Sequence, residues 1–542
     1  MIKRIATVGG LTLVSRVTGF IRDVVMAAVL GAGPIADAFF VAFRLPNHFR
    51  AILAEGAFNA AFVPAYARTL EQSGLPAARL FADRIAAALL VINIVLLGLA
   101  LIYTPSVVGL LAPGLDQDPR RYDLAVTLTR ITFPSLLLVS MQTMISGELN
   151  ANTRFAAAAG APILLNVCMV VTLSVAYWFP NAGYAAAWGV LLAGVAQVLL
   201  VGFDAERFGF GLRFRAPRLD SRTRKFLAAL GPAIIGAGGV QLALFADTII
   251  ASYLPTGALS ALYYADRINQ LPIGVVGIAV GTVLLPEMSR RLAAGDERGA
   301  TLAQARGIQL ALLLTVPSVA GAVAIPNLVM RALFARGAFT AADAAAAGAT
   351  LAAYAIGLLP FVMIRSFTAP FYARGDTLTP VKAALLAAGV NIAFKVMLMG
   401  PLAQVGLAFA TSIGAWINLS LLTIFARRRG FAVSGAGLRP VIRLLLAGAG
   451  LAGTLYLGNR LLSHAFVGLP YFREEITLVV LLLIGVIVYV VLVLLLLGRG
   501  WLQNLFKDVA TAAEAPQPKM LEPPDPTEAS AALPDNQPPP TV

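Results

Sequence analysis

Cysteine occurs once in the 542 residues, at Cys168, and histidine twice, at His48 and His464. A lone thiol excludes an internal disulfide framework and a paired-thiol metal site, and two distant histidines offer no Cys/His cluster, so no metal or other cofactor is expected. No P-loop and no nucleophile elbow is present, which leaves nucleotide hydrolysis and acyl transfer without a visible carrier. Charge is scarce as well: Asp, Glu, Lys and Arg make up 13% of the chain, against 59% hydrophobic residues. Polar stretches long enough to join soluble domains are missing before the C-terminal tail. What fills the chain instead is a succession of apolar runs of about 20 residues, the length that crosses ~30 Å of hydrocarbon. The net charge of +14 sits mainly in short loops between those runs. There it orients a membrane protein and gives no reason to expect nucleic acid.

The N-terminus begins like a signal peptide with Lys3 and Arg4, but Arg16, Arg22 and Asp23 interrupt the would-be apolar core, so it is read as a retained first helix. Apolar segments follow near 5–30, 36–64, 80–110, 123–148, 156–178, 183–203, 226–254, 258–286, 306–332, 343–372, 380–400, 403–426, 440–463 and 475–498. The prediction is an all-α polytopic membrane protein of about fourteen transmembrane helices. Alternate loops are basic (Arg207 to Lys225, Arg290, Arg291, Arg298 and Arg427 to Arg429), and their opposites are uncharged or acidic, which puts both termini on the cytoplasmic side.

The sequence also repeats internally. Asp23 and Gly33 match Asp247 and Gly257 at an offset of 224; Pro134 matches Pro360 at 226, Asn166 matches Asn391 at 225, and Gly183 matches Gly406 at 223. A nearly constant offset predicts two six-helix lobes of like orientation plus a C-terminal helix pair. The expected parts are an N-lobe (1–205), a basic cytoplasmic linker (206–225), a C-lobe (226–430), the extra pair (431–500), a segment at 501–512 whose apolar residues recur at helical spacing and suit the interface, and a proline-rich tail (513–542) of disordered composition.

Ionisable side chains at mid-membrane cost ~2.5–3.5 kcal/mol each on insertion scales and normally face a protein interior or a wet cavity. The first helix holds Ser15, Arg16, Arg22 and Asp23, and the second holds Asp37, Arg44, Asn47, Arg50 and Glu55, with Leu45-Pro46 expected to break or kink it just before Asn47 and Arg50. The eighth adds Asp266 and Arg267. Internal neutralisation accounts for part of this set, but Arg16, Arg22, Arg50 and Arg267 exceed what the carboxylates require. Guanidinium groups pair with phosphate through two donors and a fixed charge, so the excess points to a phosphate-bearing ligand inside the bilayer. In the second lobe Asp247, Asn391 and Lys395 stand alone, as a buried charge pair or an ion-coupling site. Asp37 and Glu55 could serve as a catalytic pair, but their arginine neighbours favour ion pairing, and no enzyme is expected.

Three strings in order, SRVTGFIRD, ADAFFVAFRLPN and FRAILAEGAFNAAFVP, with YYADRINQLPIGVVGIAVGTVLLPEMSR in the eighth helix, resemble the MviN/MurJ family of lipid II flippases, within the multidrug/oligosaccharidyl-lipid/polysaccharide exporter superfamily. The resemblance covers residues 1 to about 500. It implies a multi-pass protein of the bacterial inner membrane that carries undecaprenyl-pyrophosphate-linked peptidoglycan precursor from the cytoplasmic to the periplasmic leaflet by alternating access. Its partners would be that lipid and the surrounding membrane lipids, and a monomer is expected. Carried over by position, Arg16, Arg22, Arg50 and Arg267 match the family's cavity arginines. Ser15, Asp23, Asp37, Asn47 and Glu55 match its other polar cavity positions. The C-terminal pair would offer a groove to the prenyl tail. Some members carry a sodium site on helices seven and eleven; Asp247 and Asn391 fit it, but Lys395 stands where those members have an acid. A flippase for another polyprenyl-linked glycan or a drug exporter of the same superfamily remains open, and a membrane glycosyltransferase is the weaker alternative.

Overall fold

The computed structural model describes residues 2–50, 57–211, 220–431, 438–466 and 472–514, and no strand occurs among them. The first lobe contains α1 (Ile2–Leu30), α2 (Pro34–Arg50), α3 (Ala57–Ile102), α4 (Thr104–Leu111), α5 (Pro119–Thr132), α6 (Pro134–Ala151), α7 (Ala156–Ser174) and α8 (Ala182–Arg207). The second contains α9 (Ser221–Ser252), α10 (Ala258–Ala293), α11 (Glu297–Ala324), α12 (Pro326–Phe334), α13 (Ala341–Tyr372) and α14 (Leu378–Arg428). Helices α15 (Leu438–Ala465) and α16 (Arg473–Leu497) form the C-terminal pair, and α17 (Arg499–Glu514) comes last. Nine helices among the described residues are long and apolar enough to cross a membrane by length and composition.

Two of these nine reverse direction internally. In α14 the backbone leaves helical geometry at Ala403 (φ 45°, ψ −126°). Beyond it Gly406 lies against Leu398 and Gly414 against Asn391, the pairing of an antiparallel hairpin. In α3 the break falls at Gly74 (φ 76°), and Phe62 stacks on Phe81 across it at 6.1 Å.

Prolines inside these helices each free a carbonyl four residues back, which cannot stay unpaired in hydrocarbon. At Pro46, Pro360 and Pro370 a tertiary contact supplies the missing donor. Pro46 frees the Ala42 carbonyl, and the Thr132 hydroxyl donates to it at 2.8 Å. Pro360 frees Ile356, which accepts from the Trp416 indole at 3.0 Å, and Pro370 frees Ser366, which accepts from the Gln304 amide at 3.1 Å. Of the two outcomes expected at Leu45-Pro46, the break does not occur: α2 runs through Pro46 to Arg50 because α5 satisfies the orphaned carbonyl.

Helix α9 begins against the first lobe. Phe226 packs edge-on to Phe58, Phe62 and Phe81 at 5.9–6.3 Å, and Asp220, which caps α9, pairs with Arg84 of α3. Helices α15 and α16 pack on each other, α15 packs on α11, and the Tyr489 hydroxyl of α16 donates to the Leu313 carbonyl of α11 at 2.9 Å. Segment α17 does not lie free, since Leu505 is buried in the α11/α16 core cluster and the Trp501 indole donates to Gln309 at 3.2 Å.

The lobes meet tightly at one end of the bundle, where the α1–α2 turn lies. Ala338 N donates to Ala28 O at 2.7 Å. Gly31 (φ 67°) and Gly337 (φ 55°) flank this bond so closely that a side chain at either would strike the opposing backbone. Gly114 N donates to Ser252 Oγ at 3.0 Å. Beneath these main-chain contacts, Phe334, Phe339 and Tyr264 form an aromatic plug, with centroids 5.1–6.3 Å apart. This end is sealed.

Candidate functional site

Between the lobes, immediately inside that seal, lies a cavity of about 680 Å³. It is walled by α1, α2, α7 and α10, and Ser15, Arg16, Arg22, Asp23, Asn47 and Arg267 all line it. Six of the nine residues proposed from sequence thus come together. Asp37 is not among them. The side chain of Arg50, and Glu55 as a whole, fall outside the described residues.

The stripe on α1 sets the geometry, because Arg16, Asp23 and their neighbours recur at helical spacing on the face turned toward α7 and α10. Arg22 is buried and donates to Asp23 Oδ1 from Nε (3.1 Å) and Nη2 (2.7 Å), and to Asn166 Oδ1 from Nη1 (3.0 Å). Asp23 also accepts from the Tyr263 hydroxyl at 3.2 Å and lies 3.5 Å from Arg267 Nε. Arg267 Nη2 donates to that hydroxyl at 2.9 Å, and its guanidinium sits 4.7 Å from the Tyr263 ring centroid. Tyr263 is in turn held by Phe40, stacked at 4.1 Å. One carboxylate of the first lobe is therefore shared with a tyrosine and an arginine of the second.

Arg16 has no ion-pair or hydrogen-bond partner among the described residues. It lies along α10 beside Gly274, where a Cβ would come within 2.8 Å of its Nη1. One turn further, Gly277 makes the same room for Arg365 of α13, whose Nη1 donates to the Gly277 carbonyl at 3.1 Å. Three guanidiniums and one carboxylate line the cavity, a surplus of two positive charges among the described residues. Such a surplus, partly desolvated and forked, suits a doubly charged phosphate anion.

Sequence reasoning did not nominate Asn166, Tyr263 or Arg365. Asn166 makes three hydrogen bonds: Oδ1 accepts from Arg22 while both Nδ2 hydrogens are donated, to Ser15 O (3.0 Å) and Thr18 Oγ1 (3.1 Å). It fixes the Arg22 guanidinium to the backbone of α1. The repeat had already marked Asn166, though as a fold position and not as a site. Asn166→Ala leaves a buried guanidinium donor unpaired, a loss of ~1–3 kcal/mol, so transport should fall about tenfold with membrane expression unchanged. A transport rate within twofold of the parent would contradict this role.

Asp37 is fully buried at the seal. Its Oδ2 accepts from Gly257 N at 2.7 Å, its Oδ1 accepts from Ser260 N (3.1 Å) and Ser260 Oγ (2.7 Å), and Arg121 Nη2 approaches at 3.2 Å. A first-lobe carboxylate thus closes the N-terminus of second-lobe helix α10, where the helix dipole favours negative charge. In the second lobe Lys395 forms an ion pair with Asp247, and Asn391 lies against Gly414. Asp266 accepts from Gln270.

The sequence profile of the family described as lipid II flippase MurJ matches residues 26–475. A probable lipid II flippase MurJ of Rhizobium meliloti (strain 1021) is 41% identical over 462 residues, covering 84% of this chain and 86% of that protein. The lipid II flippase MurJ of Burkholderia cenocepacia is 34% identical over 462 residues, 84% of this chain and 90% of its own length. Among solved structures, lipid II flippase MurJ in an inward closed conformation superposes with a TM-score of 0.75 at 22% identity, over 90% of this chain and 98% of that one. An inward-facing MATE-family multidrug resistance transporter of the MOP superfamily superposes with a TM-score of 0.61 at 16% identity, over 76% of this chain and 94% of that one.

Proposed function

This chain belongs to the lipid II flippase MurJ family, and from that premise we propose that it carries lipid II from the cytoplasmic to the periplasmic leaflet by alternating access. One observation supports the reading above the others: a cavity at the lobe interface, closed at one end, with two surplus positive charges held on arginines from both lobes. A pyrophosphate diester carries two negative charges, so it matches that surplus. The sealed end is assigned to the periplasm, because Arg207, Arg290, Arg291, Arg427 and Arg428 all end their helices on the opposite side.

In this reading the uncommitted Arg16 meets the pyrophosphate first. Phosphate oxygens then compete with Asp23 for Arg267 and Arg22, and each bond they take removes a link between the lobes. Substrate thereby shifts the balance between sealed and open forms through its different affinity for the two. Arg50 and Glu55 complete the proposed site by their positions in the family motif. Expression of this chain in cells depleted of their own flippase should restore growth and precursor translocation; a membrane-inserted protein that restores neither overturns the reading. Competition between lipid II and an O-antigen precursor for the purified protein separates this substrate from other polyprenyl-linked glycans.

The second-lobe residues do not fit a sodium site. Lys395 places an ammonium on Asp247, the carboxylate a sodium ion would need, so the site's negative charge is already neutralised and a sodium ion there would be repelled by the ammonium. The pair is read as an internal charge pair. Replacing sodium by potassium at constant membrane potential should leave the flipping rate unchanged within twofold; a larger dependence would restore an ion-coupling role.

A further inference from the structure

We propose that the C-terminal helix pair holds the periplasmic seal shut through an ion-pair latch on α12. Helix α16 opens with Glu474 and Glu475 in its first turn. Glu474 Oε1 pairs with Arg331 Nη2 at 2.6 Å, and Glu475 Oε1 pairs with Arg336 Nη2 at 2.9 Å. Both arginines belong to one short unit, the nine-residue α12 and the turn that leaves it. Arg336 Nη2 also donates to the Ala332 carbonyl at 2.9 Å, so the guanidinium ties the end of α12 and Glu475 together.

The residues just after Arg336 build the seal itself. Gly337 lies against Ala28, Ala338 donates to the Ala28 carbonyl, and Phe339 joins the plug with Phe334 and Tyr264. Phe334, at the other side of the turn, meets Phe20 of α1 at 6.2 Å. The unit α12–Phe339 is therefore gripped by α16 on one side and closes on α1 with the other. A helix of this length has no stability of its own in water, so its position depends on what holds it. The acids on α16 supply two charge-specific contacts that fix where the seal segment stands. The helix pair beyond the two lobes is on this view part of the gate.

Both ion pairs are partly exposed, with side-chain exposures of 46% and 31% in one and 44% and 30% in the other. Exposed pairs are individually modest and screened by salt, so the two together should change the sealed-to-open ratio by roughly three- to tenfold. A contact of that size biases an equilibrium without preventing transport. The proposal rests on the alternating-access reading, and its test separates the two.

In a Cys168→Ser background, spin labels at Leu110→Cys and Ala342→Cys report the distance across the sealed end in reconstituted protein without substrate. Glu474→Gln with Glu475→Gln should raise the long-distance population three- to tenfold. Arg331→Glu with Arg336→Glu should do the same, and combining those reversals with Glu474→Arg and Glu475→Arg should restore the parental distribution at an unchanged melting temperature. High salt should shift the parent but not the glutamine variant. Unchanged distances in both the glutamine and glutamate variants overturn the latch, as does a failed charge-swap rescue in a protein that melts normally. Asp37→Asn is the internal control: if it separates the labels while the latch variants do not, only the latch fails. If neither separates them while the parent protein still flips lipid II, the main-chain contacts at Ala28 and Gly114 close the seal and the latch fails; a parent that flips no lipid II overturns the alternating-access reading instead.

Discussion

Arg22→Ala should abolish transport, with a loss of at least ~100-fold in labelled lipid II flipping by proteoliposomes and no rescue of flippase-depleted cells. Arg22 is the most heavily committed cation in the cavity. Three of its donor contacts go to Asp23 and Asn166, and it stands in the buried centre of the interface. Truncation removes half of the positive surplus and leaves Asp23 dependent on Tyr263 and on Arg267 at 3.5 Å. Removing one partner of a buried pair costs ~3–5 kcal/mol, because the remaining charge loses its compensation, and that range spans more than two decades of rate. Arg22→Lys distinguishes charge from geometry. An ammonium restores the charge but cannot reach Asp23 and Asn166 as a planar fork does, so it should recover less than a tenth of the parental rate. Parental activity in the lysine variant would mean that charge alone matters, and activity within tenfold of the parent in the alanine variant would remove Arg22 from the site.

Asp37→Ala should have the second-largest effect, and at a different place. Its carboxylate takes three hydrogen bonds from the start of α10 and faces Arg121, itself buried at 6% exposure. Truncation strands a buried guanidinium, two backbone donors and a hydroxyl at the junction of the lobes, for ~3–5 kcal/mol against the sealed form. A shift of that size takes a transporter that is mostly sealed to one that is mostly open at the periplasmic end. Reactivity of a cysteine placed at Ala36, buried behind the seal, should rise by at least ~100-fold toward an impermeant reagent in intact cells. Asp37→Asn keeps an acceptor for Gly257 and Ser260 but loses the attraction to Arg121, so it should fall between the two. Unchanged reactivity in the alanine variant would show that the main-chain contacts at Ala28 and Gly114 close the seal without Asp37.

Helix character, the apolar runs and the matched repeat positions were legible in the residues alone, since all three are patterns within a single chain; the count of fourteen spans remains an expectation beside the nine helices among the described residues that are long and apolar enough to cross. The polar stripe on the first helix was legible for the same reason: Arg16 and Asp23 share a face wherever that helix is placed. The chemistry of the cavity came from residue type, because guanidinium groups in excess of carboxylates mean the same thing in any fold. What could not be read was each group's neighbour. Arg22 meets Asn166 across 144 positions, and Asp37 meets Gly257 across 220.

Those partners separated two carboxylates that looked alike in the sequence. Asp23 and Asp37 both sit among arginines on adjacent helices, yet one lines the cavity and the other caps α10 at the seal. Whether Pro46 ends its helix was open for a related reason, since a proline breaks a helix only where nothing else bonds the carbonyl it frees, and Thr132 arrives from another helix to do so. Local pattern decides which residues are polar and which face they share. Lateral packing decides what each one touches, and in a membrane, where every buried donor and acceptor must find a partner inside the protein, that second decision assigns the role.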